Sequence, residues 1–418
     1  MRAKRSRRVG FSLLVQSIGH SVQQILASRE RDETSAEIFE RASILLQEIG
    51  RGAARREYDR IMPFGEIRQL AESGLTAVRV PRRYGGPGFT LRQAFQLVVD
   101  IATADSNIAQ ALRSHFGFVE AILDKPDENE RRKWFARVLA GELAGLALGE
   151  LGAPNGTIRT RIVPEGANFR LNGRKFYTTG TLFAQWVRAT VHDEQDEEYL
   201  VTVPTDREGV TLLDDWDGFG QRLTASGTTI FDNVLVYPNE VTWVDVKAPR
   251  KTPSLLQLYL AATQTGIVKN ALADAVEYAK TKSRPIKHAV AAKSVDDPFI
   301  QRTVGELSSR AYCAEQLVLA TADVVENALL VSDETRQERI IDATLAIAKL
   351  QFYTAENAMR AGQIMLDVAG ASATDRKYNF DRHWRNARTL ASHNPSDYKA
   401  QVVGANLLTG KEPPRNFF

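Results

Sequence analysis

The chain has 418 residues, 43% hydrophobic and 25% charged, the balance of a folded globular protein large enough for two or three cores. Its formal net charge is +3, but Arg2, Lys4, Arg5, Arg7 and Arg8 crowd the first turn of sequence and leave the rest slightly acidic, which argues against a nucleic-acid-binding surface. No run has the length of a membrane span, and one cysteine, Cys313, excludes an intramolecular disulfide and a cysteine zinc cluster.

Residues 1–33 read as a flexible basic extension. The apolar part of "MRAKRSRRVGFSLLVQSIGH" is broken by Ser12, Gln16 and Ser17, and no clean cleavage site follows. With a lone cysteine, the expected location is the reducing cytoplasm. Residues 34–142 carry a helical pattern, interrupted by the Pro/Gly-rich turn "VRVPRRYGGPGF". Residues 143–250 change to strand patterns. "RIVPEGANFRLNGRKFYTT" holds two turn signals, Glu165-Gly166 and Asn172-Gly173, and Thr178 and Thr179 close its last strand. "TTIFDNVLV" is another strand. The acidic run "HDEQDEEY" from His192 lies between strands, with its carboxylates adjacent rather than at ligand spacing, so it predicts a solvated hairpin tip.

Residues 251–418 return to helix. Ile300, Val304, Leu307, Ala311, Ala314, Val318, Thr321 and Val325 alternate spacings of four and three. Leu345, Ala348, Phe352, Ala355, Met359, Gly362, Leu366 and Ala369 do the same. Seams of this period bury against antiparallel neighbours and predict an up-and-down four-helix bundle. Cys313 lies in the same pattern and is expected in the core. The fold class is therefore α+β: an N-terminal helical domain, a middle antiparallel β domain and a C-terminal bundle. Alternating β–α units and phosphate-binding glycine motifs are absent, which disfavours a doubly wound nucleotide fold.

The six histidines are few enough to weigh singly. In "RTLASHNP", His393 precedes Asn394, a good N-cap, and Pro395, which favours the first helical position, with Asp397 in the first turn. His115 lies in the helical run "RSHFGFVEAIL". His383 falls in "DRHWR" and reads as a subunit-interface residue, while His20, His192 and His288 read as exposed.

The layout resembles the acyl-CoA dehydrogenase superfamily, and local motifs agree. "VPRRYGGPG" is similar to the family's V-P-x-x-Y-G-G-x-G turn, and "LALGELGAPNG" stands where its flavin-contacting T-E-P-x-x-G segment lies. "LNGRKFYTTG", "FGQRLTASGTTIFDNVLV" and "TKSRPI" are similar to further family segments. The departures concern the base. The family's dehydrogenases take a proton with a carboxylate, placed either near the C-terminus or early in the first bundle helix. Here there is no Asp or Glu in residues 382–396, nor between Val246 and Ala273, where Leu256 stands near the expected position. Without that base the proton-abstraction route is lost. "FDRHWRNARTLASHNP" resembles instead the flavin-dependent monooxygenases of the same superfamily, similar to dibenzothiophene monooxygenase and sulfur-acquisition oxidoreductases.

That resemblance implies reduced FMN, with FAD possible, supplied by a separate NAD(P)H-dependent flavin reductase. It implies O2 activation as a flavin C4a-hydroperoxide, and oxygen transfer to sulfur or nitrogen of a small, largely apolar substrate. His393 is the first candidate to hydrogen-bond the peroxide and deliver a proton, since an unperturbed imidazole titrates near neutrality. His115 is the second candidate, and Thr179 or Thr178 would reach flavin N5 or the peroxide. Leu148 and Gly149 would offer backbone groups to the flavin edge, Trp216 would stack near it, and Arg284 would hold its phosphate. Gln363, Gly370, Ala371 and Ser372 would reach flavin in a neighbouring subunit of a homotetramer. Phe116, Phe118 and Leu256 would line an apolar cavity. The competing expectations are an acyl-CoA dehydrogenase with a relocated base and a helical scaffold without flavin.

Overall fold

The structure, a computed structural model, describes residues 34–414 except 153, 155, 247–253 and 369. The basic extension with His20, Ala369 of the second seam and the boundary expected at 250/251 lie outside the described residues. Helices α1 (Ser35–Asp59), α2 (Phe64–Glu72), α3 (Leu91–Ala104), α4 (Ser106–Leu123) and α5 (Glu128–Leu139) come first. Their starts are set locally. Thr34 with Glu37 and Thr90 with Gln93 form reciprocal capping boxes on α1 and α3. The Asp105 carboxylate accepts the Asn107 N–H at 3.0 Å and caps α4.

The sheet follows, as β1 (Ala144–Ala147), β2 (Arg161–Glu165), β3 (Asn168–Lys175), β4 (Trp186–His192), β5 (Glu198–Pro204), β6 (Val210–Leu212), β7 (Thr229–Val236) and β8 (Val241–Trp243). The strand order is β6-β7-β3-β2-β4-β5-β8, with β1 parallel to β4. Alternation places Val187, Ala189 and Val191 of β4 and Val201 and Val203 of β5 in one apolar core. Gly166 turns the β2–β3 hairpin at a φ of 60°. The acidic run is the β4–β5 tip, where Asp193 accepts the N–H groups of Gln195 and Glu197. Among the described residues no group of His, Cys, Asp or Glu is placed to hold a metal.

Two strand expectations need correction. Asn172-Gly173 is not a turn. It sits inside β3, where the register against β7 shifts between Leu171 and Gly173. Gly173 is required there because a Cβ would lie 2.6 Å from the Thr160 Cα. Thr178 and Thr179 do not close the strand, which ends at Lys175, but belong to the loop beyond it.

The second helical set is α6 (Leu255–Thr281), α7 (Pro298–Leu330), α8 (Arg336–Ile364), α9 (Arg382–Ala391) and α10 (Ser396–Thr409). From Leu307 to Val325 the first seam is buried on α7, and Leu345, Ala348, Ala355 and Gly362 are buried on α8. Val402 of α10 packs on Leu345 and Ala348, so α10 completes the bundle. The first half of α6 is buried on all sides between α3, α4, α7 and α8. Gly266 permits the approach to α3, since a Cβ would come 2.3 Å from Ala102 Cβ. Leu258 in that stretch is fully enclosed, and its truncation to Ala should cost about 2–5 kcal/mol.

Three helical expectations also change. Cys313 is exposed, because it faces away from the seam formed by Ala311 and Ala314. Asn394 does not cap the last helix. The helix begins at Ser396 with Pro395 at the cap position, and the Asn394 amide instead donates to Gln257 Oε1 at 2.8 Å. His383 is buried within the chain, 2.7 Å from Asp274 Oδ2, rather than presented at a surface. His192 is half-buried near Asp196 and Glu198. Among the described residues no helix is long and apolar enough to cross a membrane.

Candidate active site

Four segments converge where the helices meet the sheet: the middle of α4, the loop after β3, the loop between β6 and β7, and the break between α9 and α10. Hydrogen bonds tie them. Ser114 of α4 donates to the Thr179 carbonyl at 2.8 Å, and the Gly180 N–H donates to the Thr224 carbonyl at 2.9 Å. A side chain at Gly180 is impossible, because its Cβ would lie 2.0 Å from the Ala111 carbonyl oxygen. Tyr177, Gln221 and Ala225 adopt left-handed backbone at φ of 59°, 52° and 50°. Each such non-glycine residue costs about 1 kcal/mol, so strain gathers in the two loops that carry the site's hydroxyls.

Those hydroxyls form an ordered relay. Thr224 donates to the Gln221 carbonyl at 2.9 Å, so its contact with Ser226 at 2.8 Å must be donated by Ser226. Ser226 then has no proton left, and the 2.7 Å contact between Thr179 and Ser226 must be donated by Thr179. The Thr179 oxygen is left as an acceptor. Thr178 donates to the Gly227 carbonyl at 2.9 Å and accepts from Thr229 at 3.0 Å, which pins the loop and leaves its oxygen one lone pair. Both threonines keep an acceptor for a flavin N–H.

His393 occupies the break after α9, its N–H bonded to the Leu390 carbonyl at 3.1 Å. Its Nε2 lies 3.1 Å from Arg113 Nη1. A guanidinium only donates, so Nε2 accepts and the ring proton sits on Nδ1. The residue as a whole is exposed, while protein packs around its ring. Crowding by the protein, then the charges of Arg113 and Lys399, pull its pKa down to about 3. The near-neutral acid expected from sequence is therefore corrected to a neutral imidazole that orients and donates from Nδ1.

His115 also departs from expectation. It is buried, with Nδ1 accepting the Ala144 N–H at 3.2 Å and Nε2 donating to the Thr76 carbonyl at 3.1 Å. Burial draws its pKa down to about 4. With both nitrogens engaged by backbone, it positions α4 against β1 and has no hydrogen-bonding atom left for a reacting group.

Beside Arg113 lies a narrow apolar chamber open to solvent, lined by residues that include Leu91, Phe95, Val98, Phe116, Leu256 and Tyr259. Phe118 is not part of it. That ring packs edge-on to Trp134 at 5.0 Å and under Arg188 at 4.3 Å. One carboxylate, Glu120, reaches the lining, but both its oxygens are held by the fork of Arg79, at 2.5 and 3.2 Å. Arg113 and Tyr259 are site residues that the sequence reading passed over. The available signal was an arginine inside a helical stretch, residues 106–116, whose every residue is buried.

The donor set fits a reduced flavin. Reduced flavin carries an N–H at N5, and Thr179 offers an acceptor. The phosphate would find Arg284, exposed with Lys280, Lys282 and Lys287 at the end of α6. Trp216 is half-buried, its indole donating to the Gln221 carbonyl at 2.9 Å and its ring edge-on to the exposed Tyr177 at 6.0 Å. Leu148 is half-buried and Gly149 exposed just beyond β1, and the Gly149 carbonyl accepts the Phe176 N–H at 3.0 Å. Gln363, at the end of α8, and Gly370, Ala371 and Ser372 beyond it are exposed.

Comparison with known proteins agrees with this geometry. The acyl-CoA dehydrogenase N-terminal domain model matches residues 35–142, and the C-terminal domain model matches residues 258–398. A probable FMNH2-dependent monooxygenase, SfnC of Pseudomonas putida, is 28% identical over 85% of this chain and 91% of its own. Dibenzothiophene monooxygenase of Rhodococcus erythropolis is 29% identical over 84% of this chain and 88% of its own. The crystal structure of TdsC from Paenibacillus sp. A11-2 with FMN and indole superposes with a TM-score of 0.85 at 26% identity, covering 91% of this chain and 99% of that one. With the two family models together spanning well over half its length, the chain belongs to the acyl-CoA dehydrogenase family.

Proposed function

We propose that this protein is a two-component monooxygenase that uses reduced FMN and O2 to oxygenate a small sulfur compound. The observation that carries this reading is the pairing of Arg113 with His393 where the family's dehydrogenases hold a carboxylate base. The guanidinium only donates, and the lone pair of the imidazole, on Nε2, is already held by Arg113, so neither is free to take a proton from a thioester. They can hold and polarise an oxygen-rich group. Glu120 does not rescue dehydrogenation, because Arg79 engages both its oxygens. The names of SfnC, dibenzothiophene monooxygenase and TdsC support the same reading.

When bound, reduced FMN would supply two electrons and the C4a position at which O2 is activated as a C4a-hydroperoxide. One oxygen atom goes to sulfur, or to nitrogen in an alternative substrate, and the other leaves as water. The chain's part is to orient and to exclude water. Thr179 accepts from N5–H, Arg284 holds the phosphate, and His393 donates from Nδ1 toward the reacting oxygen. The apolar chamber receives the body of the substrate. A separate NAD(P)H-dependent reductase supplies the reduced flavin, and the exposed Gln363 and 370–372 segment completes a neighbouring site in a homotetramer.

The test is stopped-flow mixing of the protein–reduced FMN complex with O2, following flavin absorbance. The expected result is a C4a-oxygen adduct whose lifetime shortens at least about tenfold in His393→Ala. Direct reoxidation without an adduct, unchanged by His393→Ala, contradicts the proposal.

A further inference from the structure

We propose that the substrate carries an anionic oxygen group, a sulfinate being the simplest case, and that Arg113 is the cation that recognises it. This deepens the monooxygenase reading and rests on it for the choice of sulfur.

Arg113 is buried, yet none of its hydrogen-bond partners is a carboxylate. Its Nε donates to the Leu256 carbonyl at 3.0 Å and its Nη1 to His393 at 3.1 Å. Two other buried arginines meet a carboxylate, Arg56 at 3.0 Å from Asp105 and Arg382 at 2.6 Å from Asp274, while Arg188, pulled down to about 10 by burial like Arg113, already has the face of Phe118 and the Thr202 hydroxyl as partners. An uncompensated buried cation is expensive, and burial alone pulls the Arg113 pKa down to about 10. A second group beside it is also unmatched. The Tyr259 hydroxyl is enclosed, has no hydrogen-bond partner among the described residues, and sits close enough to Arg113 to feel its charge. Two enclosed donors, guanidinium and phenol, call for one acceptor that serves both, and an oxyanion does so.

The surroundings fix where that anion's body would lie. Leu256 and Tyr259 stand one turn apart on α6 and both line the apolar chamber, as does Phe116, one turn from Arg113 on α4. The Phe116 and Tyr259 rings are 5.6 Å apart. A ligand with an apolar body and one acidic end would set its body against this lining and bring its acidic end to the neighbouring Arg113. A sulfinate keeps a lone pair on sulfur. One oxygen atom from O2 forms the new S–O bond and yields a sulfonate, while the two electrons and two hydrogens of reduced FMN carry the other oxygen away as water.

Calorimetric titration of the intact protein with benzenesulfinate and with methyl phenyl sulfide separates the cases without turnover. Arg113→Met should weaken benzenesulfinate binding about 10- to 100-fold, and sulfide binding less than about threefold. Arg113→Lys should recover part of the loss, and Tyr259→Phe should cost about fivefold. Thermal unfolding supplies the control. Arg113→Met should melt no lower than the parent, because it removes an unpaired buried charge, whereas a structural arginine would melt lower. Benzenesulfinate affinity that ignores Arg113→Met, a parent preference for the sulfide, or displacement of benzenesulfinate by FMN would each overturn the proposal. If the sulfinate binds through Arg113 but no oxygen is transferred, the anion site stands and the monooxygenase reading falls. If sulfides are oxygenated while sulfinate is ignored, the reverse holds.

Discussion

Two histidines near the C-terminus, His383 and His393, sit ten positions apart in opposite electrostatic settings. His383 meets the Asp274 carboxylate at 2.7 Å, and Arg382 meets the same oxygen at 2.6 Å. Every charge there has a partner within the chain. His393 meets a guanidinium, with Lys399 adding positive charge and no carboxylate among its neighbours. The His383 cluster holds α9 against α6. The His393 cluster is short of an acceptor. The difference separates a buried polar network that stabilises the fold from one that waits for a ligand.

The largest expected effect breaks the balanced cluster. Asp274→Ala leaves Arg382 and His383 buried beside each other without their counter-charge and should cost about 3 kcal/mol or more in urea unfolding. Arg113→Met, in the unbalanced cluster, should cost nothing. A loss of equal size at both would erase the distinction.

Next comes pH. Buried His115 has a folded pKa of about 4, below the ordinary value of 6.5. In that window the unfolded chain binds a proton that the folded chain refuses, so stability should fall as pH drops from about 6.5 toward 4, by at most about 1.4 kcal/mol per pH unit. Asp274, held down to about 2 despite burial by His383 and Arg382, adds stability that is complete above about 4 and lost below it. His115→Gln should flatten the upper slope and leave the lower one.

Tautomers sharpen the contrast without unfolding anything. Nitrogen-15 shifts of the imidazoles should place the proton of His383 on Nε2, where it donates to Asp274, and that of His393 on Nδ1. The same tautomer at both would contradict the assigned hydrogen bonds. The smallest effect concerns the relay. Ser226→Ala leaves Thr179 without the acceptor that fixes its direction, and should weaken reduced FMN binding by about 1 kcal/mol, with little change for oxidised FMN.

Much of this was legible in the sequence, for identifiable reasons. The seams from Leu307 to Val325 and from Leu345 to Gly362 follow a period that burial alone dictates. The acidic hairpin tip follows from charge. Gly173 misled because a glycine needed for close approach and one needed for a turn look alike in sequence. Asn394 misled because a side chain with cap chemistry found a partner, Gln257, on a helix far away in the chain. Arg113, Tyr259 and Ser226 were silent for the same reason: their meaning lies in what they lack or share across α4, α6 and the loop before β7, which no single segment displays.

Isotope labelling decides whether oxygen is transferred from O2. The protein, reduced FMN and benzenesulfinate are mixed under ¹⁸O2, and the product is weighed by mass spectrometry. Benzenesulfonate carrying a single ¹⁸O is expected. Unlabelled product, or hydrogen peroxide as the sole fate of the oxygen with this substrate and with methyl phenyl sulfide alike, would contradict it.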